Sequence, residues 1–152
     1  MTPDKTKGAA ALLVGARRDR HPVRGLPYGL APADMTEALA IQDAFAEARE
    51  MATAGWKIGC TAPESMALLD TDGPFPGRVF APLLFDSPVE LPAADFPMLG
   101  VEVEFAFRLG RDLPPRAEPY TAAEAGAAAT ALYPAIEVVS CGLDGWLDHG
   151  VE

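Results

Sequence analysis

Three glutamates carry the strongest chemical signal in this chain. Val101-Glu-Val-Glu-Phe-Ala-Phe107 alternates with a period of two, so one face of a strand collects Val101, Val103, Phe105 and Phe107. Glu102 and Glu104 then stand side by side on the other face. Alone, the pattern also describes an antiparallel strand with a wet outer face. Glu137 adds a second observation, because it lies in the apolar run Pro134-Ala-Ile-Glu-Val-Val139. A carboxylate there either sits at an edge or is satisfied by a cation, since burial without compensation is costly. Three converging carboxylates with no basic neighbour in sequence suit a hard divalent cation such as Mg²⁺, which binds oxygen and keeps water positions open. No Cys/His pair has zinc-ligand spacing.

The second signal is Gly55-Trp-Lys-Ile-Gly-Cys-Thr61. The glycines permit close backbone approach, and a helix start at Thr61 would offer free N–H groups to an anion. Lys57, held between apolar neighbours, is a candidate proton carrier if partial desolvation lowers its pKa. A surface lysine in a strand-to-helix turn is the alternative. The remaining candidates are weak. His21 and His149 are isolated, Trp56 and Trp146 suit packing, and Cys60 and Cys141 read as small buried residues without a neighbouring base. There is no nucleophile elbow, P-loop or dinucleotide fingerprint.

These residues need elements to position them. Residues 8–15 read as an amphipathic first helix; Arg17-Arg18-Asp19-Arg20 directly after it argues against a signal peptide. A helix is expected from Asp34 to about Thr53, with the stripe Ala38, Ile41, Phe45, Ala48 and Ala52, a cap at Asp34 with Glu37, and a stop at Gly55. Thr61-Ala-Pro-Glu64 and Thr121-Ala-Ala-Glu124 read as capping boxes, the second opening an alanine-rich helix that ends before Pro134. Between these boxes, prolines from Pro74 to Pro97 punctuate short strands such as Arg78-Val-Phe80 and Leu83-Leu-Phe85. Leu99–Leu109 and Ala135–Val139 are the clearest strands. Helices first and strands later predict an α+β fold.

Composition narrows the class. With 152 residues, 49% hydrophobic and 22% charged, the chain can form a packed domain. A net charge of −10 disfavours nucleic acid and anionic lipid as partners. No apolar run nears the ~20 residues of a membrane span. Two cysteines make no disulfide framework, which fits a reducing, cytoplasmic setting.

Taken in order, Ala40-Ile-Gln-Asp43, the 55–61 segment, Gly77-Arg-Val-Phe80, Val101-Glu-Val-Glu104, Leu109-Gly-Arg-Asp-Leu-Pro114 and Pro134–Val139 resemble the fumarylacetoacetate hydrolase superfamily. The likeness is greatest to its 2-keto-4-pentenoate hydratase and 4-oxalocrotonate decarboxylase branch. The resemblance implies a helical segment over 1–55, a partial mixed β-roll over 56–152, Mg²⁺ or Mn²⁺ on Glu102, Glu104 and Glu137, and Lys57 as active-site lysine. Thr61 and Asp72 are the substrate-side candidates. The implied substrate is a small 2-oxo acid from aromatic-ring degradation, and the implied reaction is hydration. Decarboxylation and C–C hydrolysis are the variants, and a non-catalytic fragment or partner subunit is the other class.

Two departures bear on this. Family hydratases carry an acidic residue where this chain has Phe75, with Asp72 three positions earlier. Family chains also run well past residue 152, so the roll is expected to be truncated here. Uncovered strands would then favour self-association into a homo-oligomer, or pairing with a decarboxylase or hydratase subunit.

Overall fold

The computed structural model describes residues 1–96 and 100–145. Pro97, Leu99, Trp146 and His149, named in the sequence analysis, lie outside these residues. The elements are α1 (Pro3–Arg18), α2 (Met35–Arg49), β1 (Thr53–Gly59), α3 (Pro63–Leu68), β2 (Phe75–Phe80), β3 (Gly100–Leu109), α4 (Ala122–Gly126) and β4 (Ala129–Val139), with 3₁₀ turns at Ala81–Leu83 and Ala93–Asp95. The mixture is α+β. Among the described residues both sheets are two-stranded and antiparallel, β1 with β2 and β3 with β4, and neither closes into a barrel. No helix among them is long and apolar enough to cross a membrane.

The described chain forms two compact units, residues 1–96 with 141–145, and residues 100–140. In the first, α1 begins with Pro3 inside its first turn and Asp4 near the positive end, and closes with Arg17 and Arg18. Its alanines Ala9, Ala10 and Ala16 are buried, small enough to let α2 approach closely. The Asp34 carboxylate caps α2 by accepting from the Glu37 N–H at 2.9 Å, as the sequence predicts.

That helix ends earlier than expected. Glu50 takes a left-handed conformation (φ 51°) at its C-terminus, and Gly55 belongs to β1. Strand pairing of Thr53 with Phe80 therefore begins where the apolar stripe would have run on to Ala52. The unit also reaches across residue 55: α2 grips β2 through Gln42 Nε2, which donates to the Pro76 carbonyl at 3.0 Å, and through the Asp43–Arg78 ion pair. The Phe45 and Phe80 rings meet at 6.4 Å.

Three local expectations change. The N-cap of α3 is Ala62, with no side-chain cap, because Pro63 takes the first helical position and leaves Thr61 one residue outside. Leu83-Leu-Phe85 is not a strand; Pro82 sits in a 3₁₀ turn instead. The Thr121–Glu124 capping box forms as read, but its helix spans only five residues before β4 takes over at Ala129. Long-range pairing with β3 wins there over the helix propensity of alanine.

Candidate functional site

The second unit is built on the β3–β4 ribbon. Its register pairs Glu102 with Glu137, Glu104 with Ala135, Ala106 with Tyr133 and Arg108 with Ala131. Residues directly opposite in an antiparallel pair share a face. One face therefore carries all three glutamates, three alanines (Ala106, Ala131 and Ala135), and Arg108 lying over the Tyr133 ring at 5.1 Å. A carboxylate oxygen from each of Glu102, Glu104 and Glu137 lies within 4.8 Å of the others. Among the described residues no other group of three or more Asp, Glu, His or Cys side chains comes so close.

Glu102 and Glu104 are exposed and Glu137 is half-buried. Like charges directly opposite each other destabilise a ribbon. At this spacing each pair repels by about 1 kcal/mol even in bulk water, and by more nearer a protein surface. The donor set is hard, all oxygen and anionic. Octahedral Mg²⁺ at ~2.1 Å from its ligands sets their oxygens roughly 3–4 Å apart, so side-chain rotation would close the trio onto such an ion. The residues present thus fit a divalent cation in chemistry and in spacing.

Lys57 lies on the other ribbon, in the first unit. It pairs with Gly77. A Cβ built on Gly77 would meet Lys57 Cγ at 2.9 Å, so the lysine stem lies directly on the glycine backbone. Phe75 lies over Gly59 in the same way, with its ring 3.0 Å from where a Cβ would stand. By strand alternation, Lys57, Gly77, Gly59 and Phe75 share one face, opposite the face of Trp56 and Arg78, where Arg78 meets α2. Lys57 is exposed, so the desolvation expected from its apolar neighbours is absent. Those neighbours, Trp56 and Ile58, project from the reverse side.

Thr61 and Asp72 bracket α3 at the same end of this ribbon, Thr61 two residues after Gly59 and Asp72 three before Phe75. Both are exposed. The first helical residue after Thr61 is Pro63, which has no N–H to offer an anion. Cys60 takes a left-handed conformation (φ 55°) at the turn, its thiol 3.7 Å from the Ser65 carbonyl. Both cysteines are half-buried, and His21 is exposed.

Sequence reasoning missed the Gly77 bed beneath Lys57, which depends on cross-strand register. It also missed the knot that ties down the connection after β3. There Arg116 donates to the Glu124 carboxylate through Nη1 and Nη2, at 2.9 and 2.8 Å, and lies 3.8 Å over the Tyr120 ring. Arg116, with the Thr121 N–H and hydroxyl, holds the Glu124 carboxyl down at about 2.

Against this geometry, similarity to curated proteins is informative. The chain is 34% identical over 145 residues to 2-keto-4-pentenoate hydratase 2 of Dechloromonas aromatica (strain RCB), covering 92% of this chain and 54% of that protein. It is similar to proteins named 2-keto-4-pentenoate hydratase. A second from the same organism, 2-keto-4-pentenoate hydratase 1, is 34% identical over 146 residues, covering 93% and 54%. The 2-keto-4-pentenoate hydratase of Paraburkholderia xenovorans (strain LB400) is 30% identical over 149 residues, covering 96% and 55%. The chain thus spans about half the length of the curated relatives it matches. No family model matches it.

Proposed function

We propose that this chain carries the cation-binding face of a divalent-metal-dependent hydratase acting on a small 2-oxo acid of the 2-hydroxypenta-2,4-dienoate type. The observation that carries the reading is the meeting of Glu102, Glu104 and Glu137 on facing strands, in a chain similar to proteins named for that hydration. Glu102, Glu104 and Glu137 would hold Mg²⁺ or Mn²⁺, which when bound supplies Lewis-acid stabilisation of an enolate. Lys57 Nζ would carry a proton along the dienol carbon chain, giving a conjugated ketone to which water adds. Thr61 and Asp72 are the proposed substrate-side residues. A cytoplasmic setting and a mixed β-roll of the fumarylacetoacetate hydrolase kind, of which the two ribbons would be pieces, belong to the same proposal.

The second reading is a non-catalytic fragment or partner subunit, which holds the cation on the same three carboxylates without turnover. Titration of Mg²⁺ and then Mn²⁺ into the purified chain by calorimetry, followed by the loss of 2-hydroxypenta-2,4-dienoate absorbance, separates the two. Binding with turnover supports the enzyme, and binding without turnover supports the subunit. No heat of binding from either ion overturns both.

A further inference from the structure

Two glycines on the β1–β2 ribbon bring a cation and an aromatic ring together. The register pairs Lys57 with Gly77 and Gly59 with Phe75, so each of the larger side chains has a glycine across the strand. A Cβ built on Gly77 would meet Lys57 at Cγ (2.9 Å), Cε (3.1 Å) and Cδ (3.4 Å), so the lysine stem lies flat along that backbone. A Cβ built on Gly59 would meet the Phe75 ring at Cε2 (3.0 Å) and Cζ (3.1 Å). Only glycine allows so close an approach at both places. Lys57 and Phe75 are diagonal neighbours across the pair, a separation that long and aromatic side chains span. Gly55 and Val79 complete this face over positions 55–59 and 75–79, where Lys57 is its one charged residue. Register within one ribbon fixes this adjacency, whatever else lies over the face.

We propose that Phe75 selects the substrate's tail: its ring receives the uncharged, apolar end of a small 2-oxo acid and disfavours an end that carries a second carboxylate. This rests on the hydratase reading above, in which Lys57 Nζ meets the dienol carbon chain, and adds to it the class of chain accepted. A carbon chain within reach of the Lys57 amine lies next to the Phe75 ring, because the two side chains are neighbours. The ring offers apolar area, no hydrogen-bond donor, and a face that is electrostatically negative. An alkyl or alkenyl tail gains by leaving water against it. A carboxylate there gives up hydration and finds no donor on the ring in return. Lys57 does not make up the loss. A lysine that passes a proton is neutral for part of each turnover, so it cannot also anchor a second carboxylate throughout.

NMR titration of the full chain tests this with 2-oxopentanoate and 2-oxoglutarate, which share the 2-oxo acid end and the carbon count and differ at the tail. Both are added with and without Mg²⁺ while the Phe75 ring and Lys57 methylene resonances are followed. The expected result is that 2-oxopentanoate shifts the Phe75 ring and binds at least about tenfold tighter than 2-oxoglutarate. Phe75→Leu keeps an apolar side chain and should retain the preference. Phe75→Arg adds donors for the second carboxylate and should abolish or reverse it. Equal affinities in the parent chain, tighter 2-oxoglutarate, or an unshifted Phe75 ring with both probes overturns the proposal. A preference that survives in Phe75→Arg, or is lost in Phe75→Leu, overturns it as well. If Phe75→Arg loses its circular dichroism, the parent chain and Phe75→Leu decide. Calorimetry with Mg²⁺ and Mn²⁺ keeps the two levels apart. Heat of metal binding with equal probe affinities ends the tail assignment alone, whereas a preference through Phe75 with no heat from either ion ends the cation reading alone.

Discussion

Two antiparallel ribbons of similar design meet different fates in this molecule. The β1–β2 ribbon is gripped on one side by α2, through the Gln42 hydrogen bond, the Asp43–Arg78 ion pair and the Phe45–Phe80 contact. Phe80 is buried there. The β3–β4 ribbon is longer and more apolar, yet Phe105 remains 75% exposed. Strand pairing alone therefore buries little; a ribbon gains a core only when a helix or second sheet lies across it. The chemistry follows the same division. The gripped ribbon presents Lys57 on the side away from α2, whereas the β3–β4 ribbon concentrates three carboxylates on one side and apolar surface on the other.

The largest effect should come from the carboxylates. Glu102→Gln and Glu137→Gln each keep size but remove a charge, and each is expected to weaken Mg²⁺ or Mn²⁺ at least about tenfold in calorimetry, since ligand charge sets the affinity of such sites. Unchanged affinity in Glu102→Gln would end the ligand assignment. Lys57→Met, on the other ribbon, should remove turnover while metal affinity stays at the parent value. If Lys57→Met also abolished metal binding, the division of labour between the ribbons would be wrong.

Stability gives the next contrast. Phe80→Ala should cost about 2–4 kcal/mol in denaturant unfolding, because a buried ring leaves a cavity against Phe45. Phe105→Ala, measured in dilute chain where association is absent, should stay within about 0.5 kcal/mol, as an exposed side chain loses few contacts. A cost for Phe105→Ala that appears only at high concentration would belong to association. Equal costs at dilution would mean the second ribbon is covered within one chain.

Much of this contrast was legible in the sequence, for identifiable reasons. Period-two alternation placed Glu102 and Glu104 on one face, and the lone Glu137 in an apolar run pointed to the same neighbourhood. The Asp34 and Thr121 caps were readable because each motif is local. What could not be read depends on partners distant in sequence. Pro63 at the first helical position displaced the Thr61 cap, and Ala129 and Ala131, good helix material, joined β4 because β3 was there to pair with them. The exposure of Lys57 was within reach of a local reading, since alternation alone sends Trp56 and Ile58 to the opposite side of the strand.

A smaller effect is expected where Lys57 rests on the gripped ribbon. Gly77→Ala places a methyl group where the lysine Cγ now lies, 2.9 Å away. The lysine can swing aside, so the expected cost is about 1 kcal/mol in unfolding. Displaced Lys57 methylene resonances in NMR would accompany it. Unshifted resonances would show that the lysine stem does not lie on Gly77 in solution.

The smallest effect, and the one confined most narrowly to the second unit, concerns acid. Glu124 titrates at about 2 in the folded chain against 4.5 for an ordinary glutamate, because Arg116 and Thr121 bind its charged form. A depressed folded-state pKa means that the unfolded chain takes up its proton first as pH falls. The stabilisation from Glu124 is thus fully present above about pH 4.5 and is lost between there and about pH 2. Since the Glu124 side chain stands at the surface, 42% exposed, solvent screening keeps the effect slight, and the sharper readout is the titration itself. In carboxyl NMR, Arg116→Ala should return the Glu124 midpoint most of the way to the ordinary value, with the Thr121 contacts holding back the remainder. The β1–β2 unit, which contains neither partner, should show no change in its own resonances. A midpoint near 4.5 in the parent chain would mean that the knot closing the β3–β4 connection is open in solution, and that the second ribbon is held by strand pairing alone.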